Sequence, residues 1–152
     1  MDKYELEDST GYLIYLINQK MYSYLKEHFE AEGVNVVEAW ILLEVLNGVE
    51  TVSELKKSLK ADMALIQRGC DRLEKEGWLK RTVHQYDKRI KTLSLTESGR
   101  KLRSRLSQYS KEVNKLAFEG MDPKERSVLH KILLNVYKGS FFESYKVSNR
   151  QI

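Results

Sequence analysis

The spacing of hydrophobic residues changes along the chain, and each change predicts a different kind of element. Over residues 10–32 apolar side chains recur every three or four positions, which predicts a long helix that ends at Gly33. At 100° per residue this helix is apolar on two faces, one of which carries Tyr12, Tyr15 and Tyr22. A helix that is apolar on two faces must be buried on both. We therefore expect one face to pack within its own domain and the other to meet a partner subunit or line a cavity.

Three shorter helices are predicted next, because three N-terminal caps precede apolar residues at helical spacing. These caps are the capping boxes Asn35/Glu38 and Thr51/Glu54 and the single cap Asp62. A tight turn separates the second of these helices from the third, which ends at Gly77. A short helix, a tight turn and a second helix have the spacing of a helix-turn-helix.

Beyond Gly77 the pattern changes from helical to alternating. Residues 79–83 and 92–96 alternate apolar and polar side chains, which predicts two short strands. The loop between them, residues 85–91, is polar and basic. A β-hairpin that directly follows a helix-turn-helix is a wing, so the pattern predicts a winged helix.

Two more helices are predicted after the hairpin. The first is long and begins at Thr96, and the second begins at the cap Asp122 and ends at Gly139. The predicted fold class is therefore mainly α, with the α+β arrangement of a winged helix-turn-helix. Residues 140–152 form a tail whose aromatic side chains indicate docking, but no element is assigned to it.

Composition and the single cysteine narrow the class of protein. The chain has 152 residues, 41% hydrophobic and 32% charged, as in an ordinary globular domain. No stretch approaches the roughly 18 uncharged apolar residues of a membrane span, and the acidic N-terminus does not resemble a signal peptide. One cysteine excludes an intrachain disulfide and fits a reducing compartment. We expect one cytoplasmic domain with no membrane partner.

The net charge of +4 is unevenly distributed along the chain. Residues 1–53 hold 3 Lys or Arg against 10 Asp or Glu, whereas residues 54–115 hold 17 against 8. A charge difference of this size indicates that the middle of the chain meets a polyanion. Charge also clusters by chance on solvated surfaces. The motifs must therefore decide between a polyanion-binding surface and an ordinary solvated one.

The second helix of the predicted helix-turn-helix carries candidate DNA contacts. Met63, Ile66, Cys70 and Leu73 share its inner side, and the remaining positions face mostly outward. The first turns of such a helix reach base edges, where Gln pairs with adenine, Arg with guanine, and Ala or Leu with a thymine methyl. The candidates for bases are Ala64, Leu65, Gln67 and Arg68, and those for phosphates are Arg72, Lys75 and Lys56.

The wing adds three cations and one acid. Lys88, Arg89 and Lys91 are basic, and an arginine at a hairpin tip suits the narrow minor groove. Asp87 repels phosphate, so a structural role fits it better: it pairs with an arginine to brace the wing, or it is a plain turn-forming Asp.

Three segments together resemble the MarR family of bacterial transcriptional regulators. They are Asp71–Arg81 (DRLEKEGWLKR), the Asp87-Lys88-Arg89 of the wing and Leu93–Gly99 (LSLTESG). The resemblance covers about residues 10–138. The helix begins Met63-Ala64-Leu65, without the Ser or Thr often found there in the family, so the operator preference does not carry over.

The resemblance implies a fold, an assembly and roles for residues. It implies one MarR-like domain over residues 1–152, with a winged helix-turn-helix DNA-binding lobe at about 35–96. The helical dimerisation region would comprise about 9–33 and 97–139. Two copies would bind a pseudo-palindromic operator on double-stranded DNA, usually as a repressor released by a small ligand. In the family pattern Arg89 is the minor-groove arginine and Asp87 its wing-stabilising partner.

The sequence leaves the releasing signal open. Tyr12, Tyr15, Tyr22 and Trp40 are candidates for a pocket for an aromatic or phenolic effector, or they simply fill the dimer interface. Cys70 has the phase of a packing residue rather than a redox sensor. His28 lacks a second nearby histidine or cysteine, so neither a metal nor another cofactor is expected.

Two other classes of function compete with a regulator. A winged helix can serve as a protein-interaction or dimerisation module without DNA binding, but the basic helix and wing disfavour that alternative. An enzyme is disfavoured because the chain has no Gly-rich phosphate loop, metal-ligand spacing or G-x-S-x-G nucleophile motif.

Overall fold

A computed structural model of the chain describes residues 5–84 and 86–139, so the predicted tail at 140–152 lies outside the described residues. That part of the chain is mainly helical with one two-stranded antiparallel sheet, which confirms the predicted winged-helix class. After a short 3₁₀ turn at Leu6–Asp8, the elements in order are α1 (Thr10–Ala31), α2 (Val36–Val45), α3 (Val52–Leu59), α4 (Met63–Lys75), β1 (Leu79–Val83), β2 (Lys91–Leu95), α5 (Glu97–Ala117) and α6 (Pro123–Tyr137).

The helices begin at the predicted caps. Asn35, Thr51 and Asp122 each form a complete capping box, in which the cap and the third helical residue satisfy each other's backbone N–H groups. The turn between α3 and α4 passes through Lys60 at φ +50°, a left-handed conformation that is uncommon for a residue with a Cβ. This turn sets the direction in which α4 leaves α3.

The wing is a regular antiparallel hairpin. Its strands pair from Leu79 with Leu95 at the base to Val83 with Lys91 near the tip. Leu79, Leu93 and Leu95 are buried, so the sheet turns one apolar face to the core.

The base of the wing is joined tightly to the start of α5. The hydroxyl groups of Thr96 and Ser98 both donate to the carbonyl oxygen of Gly77, at 2.7 and 3.0 Å. Gly99 lies so close to the backbone of Trp78 that an added Cβ would collide with the Trp78 carbonyl oxygen. The absence of a side chain at residue 99 therefore permits this approach.

The core brings α1, α2, α3, α4, the sheet and α5 together within one unit. The chain divides into two compact units, Met1–Asn114 and Lys115–Ile152, and the core belongs to the first. Burying each Leu, Ile or Phe side chain contributes about 1.5–3 kcal/mol. The largest fully buried side chains include Phe29, Ile41, Leu42, Leu55, Ile66, Leu73, Leu102 and Leu106.

The first half of α1 is less buried than its apolar pattern predicts. Leu13, Ile14 and Ile17 are exposed, and Phe29 is the one residue of α1 that is buried outright among those described. In the second unit, α6 exposes Ile132 and Val136 and buries none of its described residues. Both helices thus carry apolar surface that their own unit does not cover.

Within the described residues, none of the helices combines the length and the apolar character needed to cross a membrane.

Candidate nucleic-acid interface

The first turns of α4 present the predicted base-reading side chains to solvent. Asp62 Oδ1 accepts from the backbone N–H groups of Ala64 at 2.8 Å and of Leu65 at 3.4 Å, which fixes the start of the helix. Ala64, Gln67 and Arg68 are exposed and Leu65 is half-buried. The opposite side of α4 is buried through Ile66, Cys70 and Leu73. The helix therefore offers a polar outer surface that starts at its N-terminus, where a major groove is read.

Arg72 differs from the free cation that the sequence indicates. Its Nη1 forms a salt bridge with Oε2 of Glu38, and its Nη2 donates to the carbonyl oxygen of Gly33 at 2.8 Å. The guanidinium thus has two intramolecular partners, while the Arg72 side chain stays 45% exposed. The sequence cannot reveal this, because Glu38 and Gly33 lie 34 and 39 residues away.

Arg81 is a positioning residue that sequence reasoning missed. From β1 its Nη1 contacts Asp71 Oδ1 and Glu74 Oε2 of α4, both at 2.7 Å, and its backbone N–H donates to Glu74 Oε1 at 3.3 Å. The signal was present, since Asp71 and Glu74 are three residues apart on one helix face and a strand follows at once. These contacts attach the wing to α4.

The three predicted cations of the wing, Lys88, Arg89 and Lys91, are all exposed. Asp87 braces the loop, but through a backbone partner. Its Oδ1 accepts from the backbone N–H of Arg89 at 2.9 Å, and no ion pair with a guanidinium is found for it among the described residues. The expected acid–arginine pair is therefore replaced by an Asx-type turn, a local bond that Asp forms readily.

His84 completes the network within the loop. Its Nδ1 accepts from the backbone N–H groups of Tyr86 and Asp87, both at 3.3 Å, so its ring proton lies on Nε2. Its own backbone N–H donates to the carbonyl oxygen of Ile90 at 2.9 Å and closes the hairpin. Tyr86 is 88% exposed at the tip.

The four residues predicted for an effector pocket have different surroundings. The rings of Tyr12 and Tyr15 stack at 6.2 Å, and Tyr15 accepts a hydrogen bond from Gln19 Nε2 at 2.6 Å. Tyr22 and Trp40 pack against the core. Tyr22 also lines an open concavity of about 540 Å³, whose described lining residues are Asn18, Gln19, Lys20, Tyr22 and Ser23.

A second aromatic group joins α1 to α5 and was not predicted. The His28 ring lies 4.0 Å from that of Tyr24 and 4.8 Å from that of Tyr109, and its Nδ1 donates to the Tyr24 carbonyl oxygen at 2.8 Å. Tyr109 donates to Glu32 at 3.0 Å, a bond that raises the pKa of its phenol. Burial and a bond with Glu112 raise the pKa of Tyr24. Among described residues, no group of three His, Cys, Asp or Glu is arranged to hold a metal.

Cys70 is buried in the core, as its helical phase predicts. Burial raises the pKa of the thiol to about 11, and the nearby Arg81 guanidinium opposes that shift. The thiol is therefore protonated near neutral pH, which is the less reactive form.

The curated proteins to which this chain is similar include the regulator MarR and an HTH-type transcriptional regulator. No family model matches the chain. The multiple antibiotic resistance protein MarR of Salmonella typhimurium is 33% identical over 90 residues, which are 59% of this chain and 62% of that protein. The chain therefore spans less than two thirds of the length of this curated relative.

Two solved structures share the fold. A cysteine-to-serine mutant of MarR from E. coli, complexed with operator DNA, aligns with a TM-score of 0.72 at 26% identity, over 83% of this chain and 91% of that one. CouR from Rhodococcus jostii, bound to p-coumaroyl-CoA, aligns with a TM-score of 0.79 at 20% identity, over 96% of this chain and 100% of that one. The second likeness bears on the fold alone.

Proposed function

Since the chain belongs to the MarR family of transcriptional regulators, we propose that it binds a specific DNA operator as a homodimer and represses transcription in the cytoplasm. The observation that carries this proposal is the exposed, capped N-terminus of α4, with Gln67 and Arg68 on its outer surface. We call α4 the recognition helix. The basic wing lies next to it in the chain and is attached to it by Arg81.

We assign complementary contacts to the helix and the wing. Gln67 and Arg68 would read base edges in the major groove, aided by apolar contacts from Ala64 and Leu65. Arg89 would enter the minor groove, while Lys88 and Lys91 would neutralise phosphates. In this proposal residues 35–96 are the DNA-binding lobe.

The homodimer is proposed from the uncovered apolar surface of the helices. Residues 9–33 and 97–139 would form the dimerisation region, because Leu13 and Ile17 of α1 and Ile132 of α6 are exposed in the single chain. Twofold pairing is the commonest way to cover such surface, and it would place two lobes on half-sites about 10 bp apart. A sedimentation experiment that finds a stable monomer at micromolar concentration contradicts this assembly.

We further propose a small aromatic or phenolic effector. The concavity beside Tyr22 offers hydroxyl, amide and ammonium groups next to an aromatic ring, which suit a planar ligand with polar substituents. No enzymatic activity is part of the proposal. Phenolic compounds should release the wild type from its operator. A Tyr22→Ala variant that still binds the operator but no longer responds to these compounds would support this site.

The decisive experiment is selection of duplexes from a random library by the purified chain. A regulator should enrich a pseudo-palindrome and bind it at least 10³-fold more tightly than random DNA at physiological salt. If the chain enriches nothing and its binding to random DNA is no stronger than that of a Gln67/Arg68/Arg89 triple alanine variant, it is a protein-interaction module.

A further inference from the structure

One ion pair fixes the recognition helix to the helix behind it. Glu38 of α2 is only 2% exposed, and its Oε2 accepts from the backbone N–H of Asn35 at 2.9 Å to close the α2 capping box. The same oxygen forms the salt bridge with Arg72 of α4. A buried carboxylate is costly unless its charge is paired and hydrogen-bonded, and these two partners provide both at Oε2.

Arg72 also reaches the end of α1. Its Nη2 donates at 2.8 Å to the carbonyl oxygen of Gly33, which has a φ of +84° and links α1 to α2. A planar guanidinium holds its two acceptors in a fixed relative geometry, which a lysine cannot do. One side chain of α4 is therefore bound to the first turn of α2 and to the link between α1 and α2.

Close packing of an α2 side chain on α4 accompanies this ion pair. Gly69 lies one turn before Arg72, and a Cβ there would be 2.7 Å from Cδ1 of Ile41 in α2. The Ile41 side chain therefore lies directly on the backbone of α4 at Gly69, which opposes sliding of the two helices past each other. The pair with Glu38, one turn further along α4, adds a polar contact that opposes rotation of α4 about its own axis.

We propose that Arg72 is a positioning residue for base reading and takes no phosphate. Its pair with Glu38 sets the rotation of α4 about its own axis, and with it the direction in which Gln67 and Arg68 leave the helix. This inference rests on the proposed function. It replaces the expectation, natural for an arginine whose side chain is 45% exposed, that Arg72 binds the DNA backbone.

Glu38→Gln separates the two roles, because Glu38 is buried and cannot touch DNA. The amide still accepts from Asn35, so the α2 cap is kept while the charge that holds Arg72 is lost. We expect operator affinity to fall about tenfold, as for one displaced bidentate base contact, and random-DNA affinity to stay the same. If Glu38→Gln leaves both affinities unchanged, or tightens both as removal of an acid would, the proposal is wrong.

Arg72→Gln and Lys75→Gln form a matched pair that removes one cation each from the same helix. Each phosphate contact contributes about 0.9 to the slope of log affinity against log salt. For Arg72→Gln we expect an unchanged salt slope, with weaker binding to the operator and unchanged binding to random DNA. A slope reduced by about one, with equal losses on operator and random DNA, would make Arg72 a phosphate contact. Lys75→Gln is the control. If Lys75, an exposed lysine of the same helix, contacts a phosphate, its loss shows how large the change in salt slope is for one such contact.

Two DNA-free measurements complete the test. Residual dipolar couplings of the α4 amides in Glu38→Gln should fit a helix rotated relative to α2, whereas unchanged couplings contradict the proposal. Thermal unfolding shows whether the variants lose stability. A lower Tm together with an unchanged ratio of operator to random affinity would mean that the pair only stabilises the fold. If the wild type itself prefers no duplex, the proposed function fails, while the couplings still test the rotation.

Discussion

Arg81 Nη1 lies 2.7 Å from Asp71 Oδ1, and this contact joins the first strand of the wing to the recognition helix. The same nitrogen is 2.7 Å from Glu74 Oε2, and the Arg81 side chain is only 18% exposed. The two DNA-facing elements are therefore held at a fixed angle by a side chain that lies between them.

Arg81→Gln should lower both stability and DNA affinity. Because Asp71 and Glu74 are largely exposed, loss of the pair should cost roughly 1 kcal/mol of unfolding free energy, which urea denaturation measures. Asp71→Asn should cost less, since Glu74 remains. The double variant should be less destabilised than the sum of the two single variants, because the residues share one interaction. Strict additivity would show that the contact carries no energy.

Arg68→Ala and Arg89→Ala should affect DNA binding differently. Loss of a major-groove contact by Arg68 should cost about 1–3 kcal/mol on the operator and relax base preference at one position. Loss of Arg89 should weaken operator and random duplexes more evenly, because the minor groove carries a degenerate code. Salt titrations of both variants on both duplexes measure the difference. Equal patterns for the two variants would contradict the division of roles.

Asp87→Ala should weaken DNA binding even though it removes an acid from a DNA-facing loop. The carboxylate accepts from the backbone N–H of Arg89, so its loss frees the turn that presents the arginine. Asp87→Asn is the matched control, since its amide oxygen keeps that bond while the charge is lost. We expect the asparagine variant to bind at least as tightly as the wild type. A gain in affinity for Asp87→Ala would mean that repulsion outweighs the turn.

Cys70→Ala should leave operator binding intact and insensitive to peroxide. The thiol is buried in the core and its pKa of about 11 keeps it protonated, so oxidation is slow. The alanine variant leaves a small cavity and should be less stable by roughly 1 kcal/mol. Mobility-shift experiments with and without peroxide check this. Release of DNA from the wild type alone would make Cys70 a sensor.

Stability should fall at alkaline pH. The pKa of the Cys70 thiol rises from about 9 to about 11 in the fold, and the pKa values of the Tyr24 and Tyr109 phenols are also raised. Between the unfolded and folded pKa values the folded chain holds protons that the unfolded chain releases, so the free energy of unfolding declines as pH rises above 9. Urea denaturation between pH 8 and 11 should show this decline, and Cys70→Ala should show less of it.

Local elements were predictable because their causes lie within a few residues. The capping box of Asn35 and Glu38 needs a spacing of three residues, and the helix ends at Gly33 and Gly77 need only a positive φ. The exposed first turn of the recognition helix follows from the same periodicity. These features do not depend on which parts of the chain meet in the fold.

Pairings across the fold could not be predicted in this way. The cap residue Glu38 has a second partner, Arg72, which is 34 residues away, and a single sequence does not reveal such a meeting. The same holds for His28 between two tyrosines of different helices. Several exposed-looking polar residues therefore have structural roles that only the packing of the helices creates.

The close approach of Gly99 to Trp78 makes the start of α5 and the base of the wing move as one rigid unit. Even alanine at residue 99 would force the two backbones apart, so a saturation library should recover glycine alone at that position. Gly11, where an added Cβ would meet only Ser9 Oγ at an ordinary contact distance of 3.8 Å, should be far more permissive. Because the two segments are in rigid contact, we expect a rotation of α5 to rotate the hairpin as well. Conversely, a hairpin held in a DNA groove should restrict rotation of α5.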